Sequence, residues 1–170
     1  YSDGSTECWI PAHWVKIGTG SNGLSVNYRD VRPFSYYSSV DNAAADGYSL
    51  PRAFWDGGTI QPGVFVDKYR ASNNNGICSS IKNGAPLSMS PSHNPISALN
   101  GAPPNAYYGC IQAAKTRGPQ YFPTSRFITG MLWGLQIAHG QAATSDTWCA
   151  WYDPAGLTNF PKGCNNSALG

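Results

Sequence analysis

Three histidines, five cysteines and nine carboxylates are the side chains here that could move protons, attack electrophiles or hold a metal. General acid and base work needs paired carboxylates, or a histidine oriented by an acid. Of the nine acids, Asp3, Glu7, Asp30, Asp41, Asp46, Asp56, Asp67, Asp146 and Asp153, most instead sit beside Gly, Pro, Asn or Ser. There Asp serves turns and caps, so solvated or capping roles are expected. His139 falls where a cation favours a helix C-terminus. His93, within Ser92-His-Asn-Pro95, is the better ligand candidate, although a loop histidine also bonds readily to nearby backbone. Cys8, Cys78, Cys110, Cys149 and Cys164 form no C-x-x-C pair, have no histidines at zinc spacing, and have no neighbouring His or Arg to favour a thiolate. They suit buried thiols, or two disulfides with one cysteine left over. Cys149 and Cys164 are the closest pair, flanking a turn at Asp153-Pro-Ala-Gly156. No catalytic residue, metal site or cofactor is therefore assigned.

Gly18, Gly20 and Gly23 match the G-x-G-x-x-G pattern, which cradles a dinucleotide only where a helix comes next. The next residues, Leu24-Ser-Val-Asn-Tyr28, alternate like a strand, so the glycines are read as a hairpin connection between strands 14–17 and 24–29. Recognition chemistry remains. Six Trp, ten Tyr and many Asn and Ser combine rigid amphipathic area with adaptable hydrogen bonding. Trp148, Trp151 and Tyr152 are the candidate ligand contacts, weighed against plain core packing.

Strands, loops and helices must position these residues. Residues 64–69 alternate as a strand introduced by Pro62-Gly63, and 73–76 (Asn-Asn-Asn-Gly) end it. Five prolines between 83 and 104 interrupt regular structure. A helix is predicted over 105–117, with Asn105 as cap and Gly118-Pro119 as stop. A second is predicted over 125–139, capped by Thr124 or Ser125, burying Phe127, Met131, Leu132, Leu135 and Ala138 and closing at His139-Gly140. Gly130 and Gly134 within it allow a neighbouring element to approach closely. The two helices are expected to pack on a small irregular antiparallel sheet, giving an α+β class.

Composition narrows the function. Charged residues are 12% of the chain and the formal charge is +2, far from the basic footprint that nucleic acid demands. The 41% apolar content argues against disorder. No apolar run reaches the roughly 18 to 20 residues of a membrane span. Tyr1 is read as the start of a processed chain or fragment, and the sequon Asn165-Asn-Ser167 matters only in a eukaryotic secretory route.

One order of segments is distinctive: Pro51-Arg-Ala-Phe54, Gly57-Gly58, Pro62-Gly-Val-Phe-Val-Asp-Lys-Tyr69, His93-Asn-Pro-Ile96, Asn105-Ala-Tyr-Tyr108, Ala113-Ala-Lys-Thr-Arg-Gly118 and Ser125-Arg-Phe127. This order resembles phage and prophage proteins of the formylglycine-generating-enzyme-like group. The resemblance covers residues 51–140 and implies a C-type-lectin-like domain over 51–170, C-terminally incomplete, preceded by a strand and hairpin region over 1–50. Neither Cys149 nor Cys164 stands in a copy of the enzymes' oxidative motif, so the resemblance favours the binding branch. It implies a bacteriophage virion-surface protein, a tail fibre, tail tip or decoration component. Such a protein would recognise a bacterial surface glycan or protein without turnover, together with other virion subunits and as a homotrimer. The alternatives are an extracellular copper- and cysteine-dependent oxidase of the formylglycine-generating type, or a secreted carbohydrate-binding module.

Overall fold

The computed structural model describes residues 1–143; Trp148, Trp151, Tyr152, Cys149 and Cys164 lie outside the described residues. The chain is α+β: β1 (Glu7–Pro11), β2 (His13–Ile17), β3 (Arg29–Pro33), α1 (Val40–Ala45), β4 (Trp55–Asp56), β5 (Thr59–Ile60), β6 (Gly63–Asp67), β7 (Ser72–Asn74), β8 (Ile77–Ser79), α2 (Tyr107–Lys115) and α3 (Arg126–Ala142). The strands pair two by two, as β1-β6, β2-β3, β4-β5 and β7-β8. No helix among the described residues is long and apolar enough to cross a membrane. The described residues fall into two compact units, one built from 1–9 and 65–124, the other from 10–64 and 125–143.

The second of these units centres on Trp14, almost free of solvent, whose indole Nε1 donates to the Phe34 carbonyl at 2.9 Å. Its ring stacks on Phe34 and meets Tyr37 edge-on, so one side chain is satisfied at both its apolar face and its polar tip. Phe54, fully buried, is met edge-on by His13. β2 and β3 are antiparallel, with Val15 opposite Val31 and Ile17 opposite Arg29. The predicted second strand, 24–29, is therefore displaced to 29–33. Residues 18–28 curl into one long loop because Asn27 takes φ 63° and Gly18, whose Cβ would lie 1.8 Å from the Ser25 carbonyl oxygen, must be glycine. That close approach, rather than a ligand, is what the glycine serves.

α3 begins where expected, with Ser125 Oγ accepting the Ile128 N–H at 3.2 Å. Its buried residues are Ile128, Met131 and Gly134, while Phe127 is exposed. Met131 is thus buried as predicted and Leu132, Leu135 and Ala138 are partly buried, but Ile128 rather than Phe127 faces inward. The helix also runs through Gly140 to Ala142, since a glycine inside a helix costs only about 1 kcal/mol. At Gly134 the space a Cβ would occupy is met by Arg29 at 3.5 Å, whereas Gly130 faces open space.

The first unit holds a tight hairpin. Asn74 pairs with Ile77, leaving Asn75-Gly76 as a two-residue loop with φ 51° and 86°. Two positive φ values are the backbone that Asn-Gly provides, so 73–76 does more than end a strand: it turns the chain into β8. β6 itself stops at Asp67, after which Lys68 N–H donates to the Thr6 carbonyl. α2 is shorter than predicted, and Asn105 does not cap it. The Asn105 side chain instead accepts the Ser97 N–H at 2.9 Å and donates to Ser97 Oγ; Ala106 is the N-cap residue.

The apolar core of this unit is small: Ile96, Leu99 and Ala113, with Cys78, Leu87 and Cys110 packed on it. The proline-interrupted segment supplies Leu87, Ile96 and Leu99, a contribution its broken pattern conceals. Buried hydroxyls do the rest. Ser79 Oγ donates to Asp3 Oδ2 at 2.8 Å, Ser80 Oγ donates to the carbonyls of Thr6 and Tyr69, and Ser5 Oγ accepts the Ser80 N–H. Each partner removes the penalty of burying a polar group alone.

Candidate functional site

The first unit contains a cleft of about 520 Å³, within the size range of small-ligand sites. The end of β6 and the residues after it, Asp67, Lys68, Tyr69 and Arg70, form one wall. Cys78, Leu87 and Ile96 lie on a second side, α2 contributes Cys110 and Ala113, and Tyr121, Phe122 and Thr124 complete the lining. Phe122 is more than half exposed, so a ring face is open to a ligand.

Arg117, just past α2, organises this wall. Its side chain is 5% exposed, and its Nη1 donates to Asp67 Oδ1 at 2.7 Å. Nη2 lies 2.9 Å from Glu7 Oε1 and Nε 3.3 Å from Asp3 Oδ2. These two contacts are at ion-pair distance but without the alignment of a hydrogen bond. The guanidinium also lies 4.3 Å from the Tyr121 ring centroid and 5.2 Å from that of Tyr1. One cation thus sits among three carboxylates and two aromatic rings, and fixes Asp67 and Tyr121 in the cleft lining. The planar fork of Arg serves this arrangement as Lys could not.

Solvated or capping roles, predicted for the acids from their neighbours in sequence, hold only in part. Asp3 does support a turn, accepting the Ser5 N–H and Oγ, but Glu7 is 5% exposed and ion-paired. Burial works to raise the Asp3 pKa; hydrogen bonds from Ser5 and Ser79, with the Arg117 charge, outweigh it and hold the carboxyl at about 2. Cys78 moves the other way. Burial, reinforced by Asp67, pushes its thiol up to about 11, so it is a poor nucleophile at neutral pH.

His93 lies outside the cleft lining, on an exposed loop, with Nδ1 3.0 Å from Ser92 Oγ and 3.4 Å from Ser90 Oγ. His139 is exposed in the last turn of α3. The third histidine, His13, is buried, and its Nδ1–H donates to the Pro11 carbonyl at 2.9 Å; burial depresses its pKa, with that carbonyl opposing. Among the described residues no group of three or more His, Cys, Asp or Glu side chains could hold a metal ion. The structure brings Cys78 and Cys110 to one cleft, a pairing that sequence reasoning misses because neither spacing nor a shared motif links them.

No family model matches the chain, and neither the curated proteins nor the solved structures contain a significant match to it.

Proposed function

We propose that the protein is a bacteriophage virion-surface component, of a tail fibre, tail tip or decoration, with a C-type-lectin-like fold. In this reading it binds a bacterial surface glycan noncovalently through the cleft of the first unit, without turnover. The observation that carries this reading is the cleft lining, where the open ring of Phe122 stands with Tyr121 beside Lys68, Arg70 and Asp67. Sugar rings present one apolar face and a rim of hydroxyls, which match a stacking aromatic flanked by charged donors and acceptors. The order of segments across residues 51–140 supports the phage assignment. A homotrimer would multiply a weak single-site affinity through avidity.

The test is adsorption of the labelled full chain to host cells. Phe122→Ala and Arg70→Ala are expected to weaken adsorption at least tenfold, about 1.4 kcal/mol, with thermal unfolding unchanged. Periodate treatment of the cells, which destroys vicinal diols, should abolish binding. Binding that survives periodate and is lost to protease would replace the glycan with a protein receptor. Copper-dependent oxidation of a cysteine peptide by the chain would replace the binding reading with an enzymatic one.

A further inference from the structure

Cys78 is the middle residue of β8 and Cys110 stands in the first half of α2. α2 packs on β8, and Thr116 ties the two segments together, its Oγ1 accepting the Cys78 N–H at 2.9 Å while donating to the Ala113 carbonyl at 2.7 Å. Both cysteines are half-buried, both pack on the Ile96, Leu99 and Ala113 cluster, and both line the same cleft. Cys8, by contrast, is exposed and outside that lining. The Cys110 thiol makes only a weak hydrogen bond, 3.8 Å to the Ala106 carbonyl, so no strong polar contact holds it in its present rotamer.

We propose that Cys78 and Cys110 are a redox-closable dithiol, joining as a disulfide that ties β8 to α2 within the cleft when a small-molecule disulfide is present. This is independent of what the cleft binds. With oxidised glutathione, the Cys110 thiolate attacks one glutathione sulfur, forming a mixed disulfide and expelling one glutathione thiolate. The Cys78 thiolate then attacks the Cys110 sulfur and expels the second glutathione. The protein loses two protons and two electrons, and two molecules of reduced glutathione carry them away. The first attack is assigned to Cys110 because burial leaves Cys78 with little thiolate at neutral pH. The bond would close a loop of roughly thirty residues around the proline-interrupted segment, constraining the unfolded chain.

The experiment uses the full chain, reduced, desalted and incubated with graded oxidised glutathione, then acid-quenched, alkylated and digested with trypsin without reductant. Cleavage after Arg70, Lys82 and Lys115 places Cys78 in peptide 71–82 and Cys110 in peptide 83–115. The expected result is these two peptides covalently linked and lighter by two hydrogens. It should come with a rise of about 5 °C or more in Tm that dithiothreitol reverses. Cys110→Ala and Cys78→Ala, each checked for folding by circular dichroism, should lose both effects. Recovery of the two wild-type peptides as free thiols or glutathione adducts under conditions where the protein stays folded would overturn the proposal. So would linkage of Cys78 to any other cysteine.

Discussion

Replacing Arg117 with methionine keeps most of the side-chain volume and the stacking contact with Tyr121, but removes the cation that faces Asp3, Glu7 and Asp67. Glu7 and Asp3 are 5% and 13% exposed, so two carboxylates are left with little water and without that counter-charge. Breaking a buried ion pair from one side costs about 3–5 kcal/mol; Asp67, 38% exposed, adds little because solvent screens it. With a urea m-value of about 2 kcal/mol per M, the midpoint should fall by about 1.5–2.5 M at pH 7, read by tryptophan fluorescence. Adding Glu7→Gln to R117M should restore part of the loss at pH 7. Asp3 itself should keep most of its low pKa in the variant, because Ser5 and Ser79 hold it down more strongly than Arg117 does. A midpoint within about 0.3 M of wild type would show that the cluster is a surface network of negligible worth and would refute the argument.

Single sites give three further expected outcomes. His13 has a folded pKa below its unfolded value of 6.5, so its contribution is fully present above pH 6.5 and is lost as pH falls below it; Tm should drop between pH 7.5 and 5, and His13→Gln should flatten that slope. Gly109→Ala places a Cβ 1.7 Å from the Pro104 carbonyl oxygen, a clash with backbone that cannot swing away, and should cost about 2 kcal/mol or more in chemical denaturation. In fully reduced protein at pH 7.5, iodoacetamide should label exposed Cys8 well before Cys78, whose thiol titrates at about 11; equal rates measured by peptide mass spectrometry would contradict the burial of Cys78.

The features legible in the sequence are local ones. The Ser125 cap, the strand predicted over 64–69 and found over Gly63–Asp67, and the basic end of α2 depend on neighbours within a few residues. The misses share a cause. Asn105 has the right side chain for a cap but finds Ser97 first, and Asn75-Gly76 looks like a stop until its positive φ values make a hairpin. Phe127 and Ile128 are adjacent and both apolar, so periodicity alone does not choose which faces inward; packing against β3 and the turn at Arg52–Phe54 selects Ile128. Least legible is the Arg117 cluster. Its acids come from positions 3, 7 and 67, and nothing in a linear pattern distinguishes them from acids that merely solvate turns.

The first unit draws on residues 1–9 and again on 65–124, and this split sets a timetable for synthesis. At about 5–20 residues per second, Asp3 and Glu7 leave the ribosome several seconds before Arg117 is made. In that interval Asp3, Ser5 and Glu7 lack their long-range partners, since Ser79, Ser80 and Arg117 are all still to come. Residues 1–9 therefore gain these partners only after the whole of 10–64 has been translated. Their polarity suits that wait: a strand that was apolar throughout would have sought another edge in the meantime. An ionic latch made from acids synthesised early and a cation synthesised late engages only once the chain between them exists.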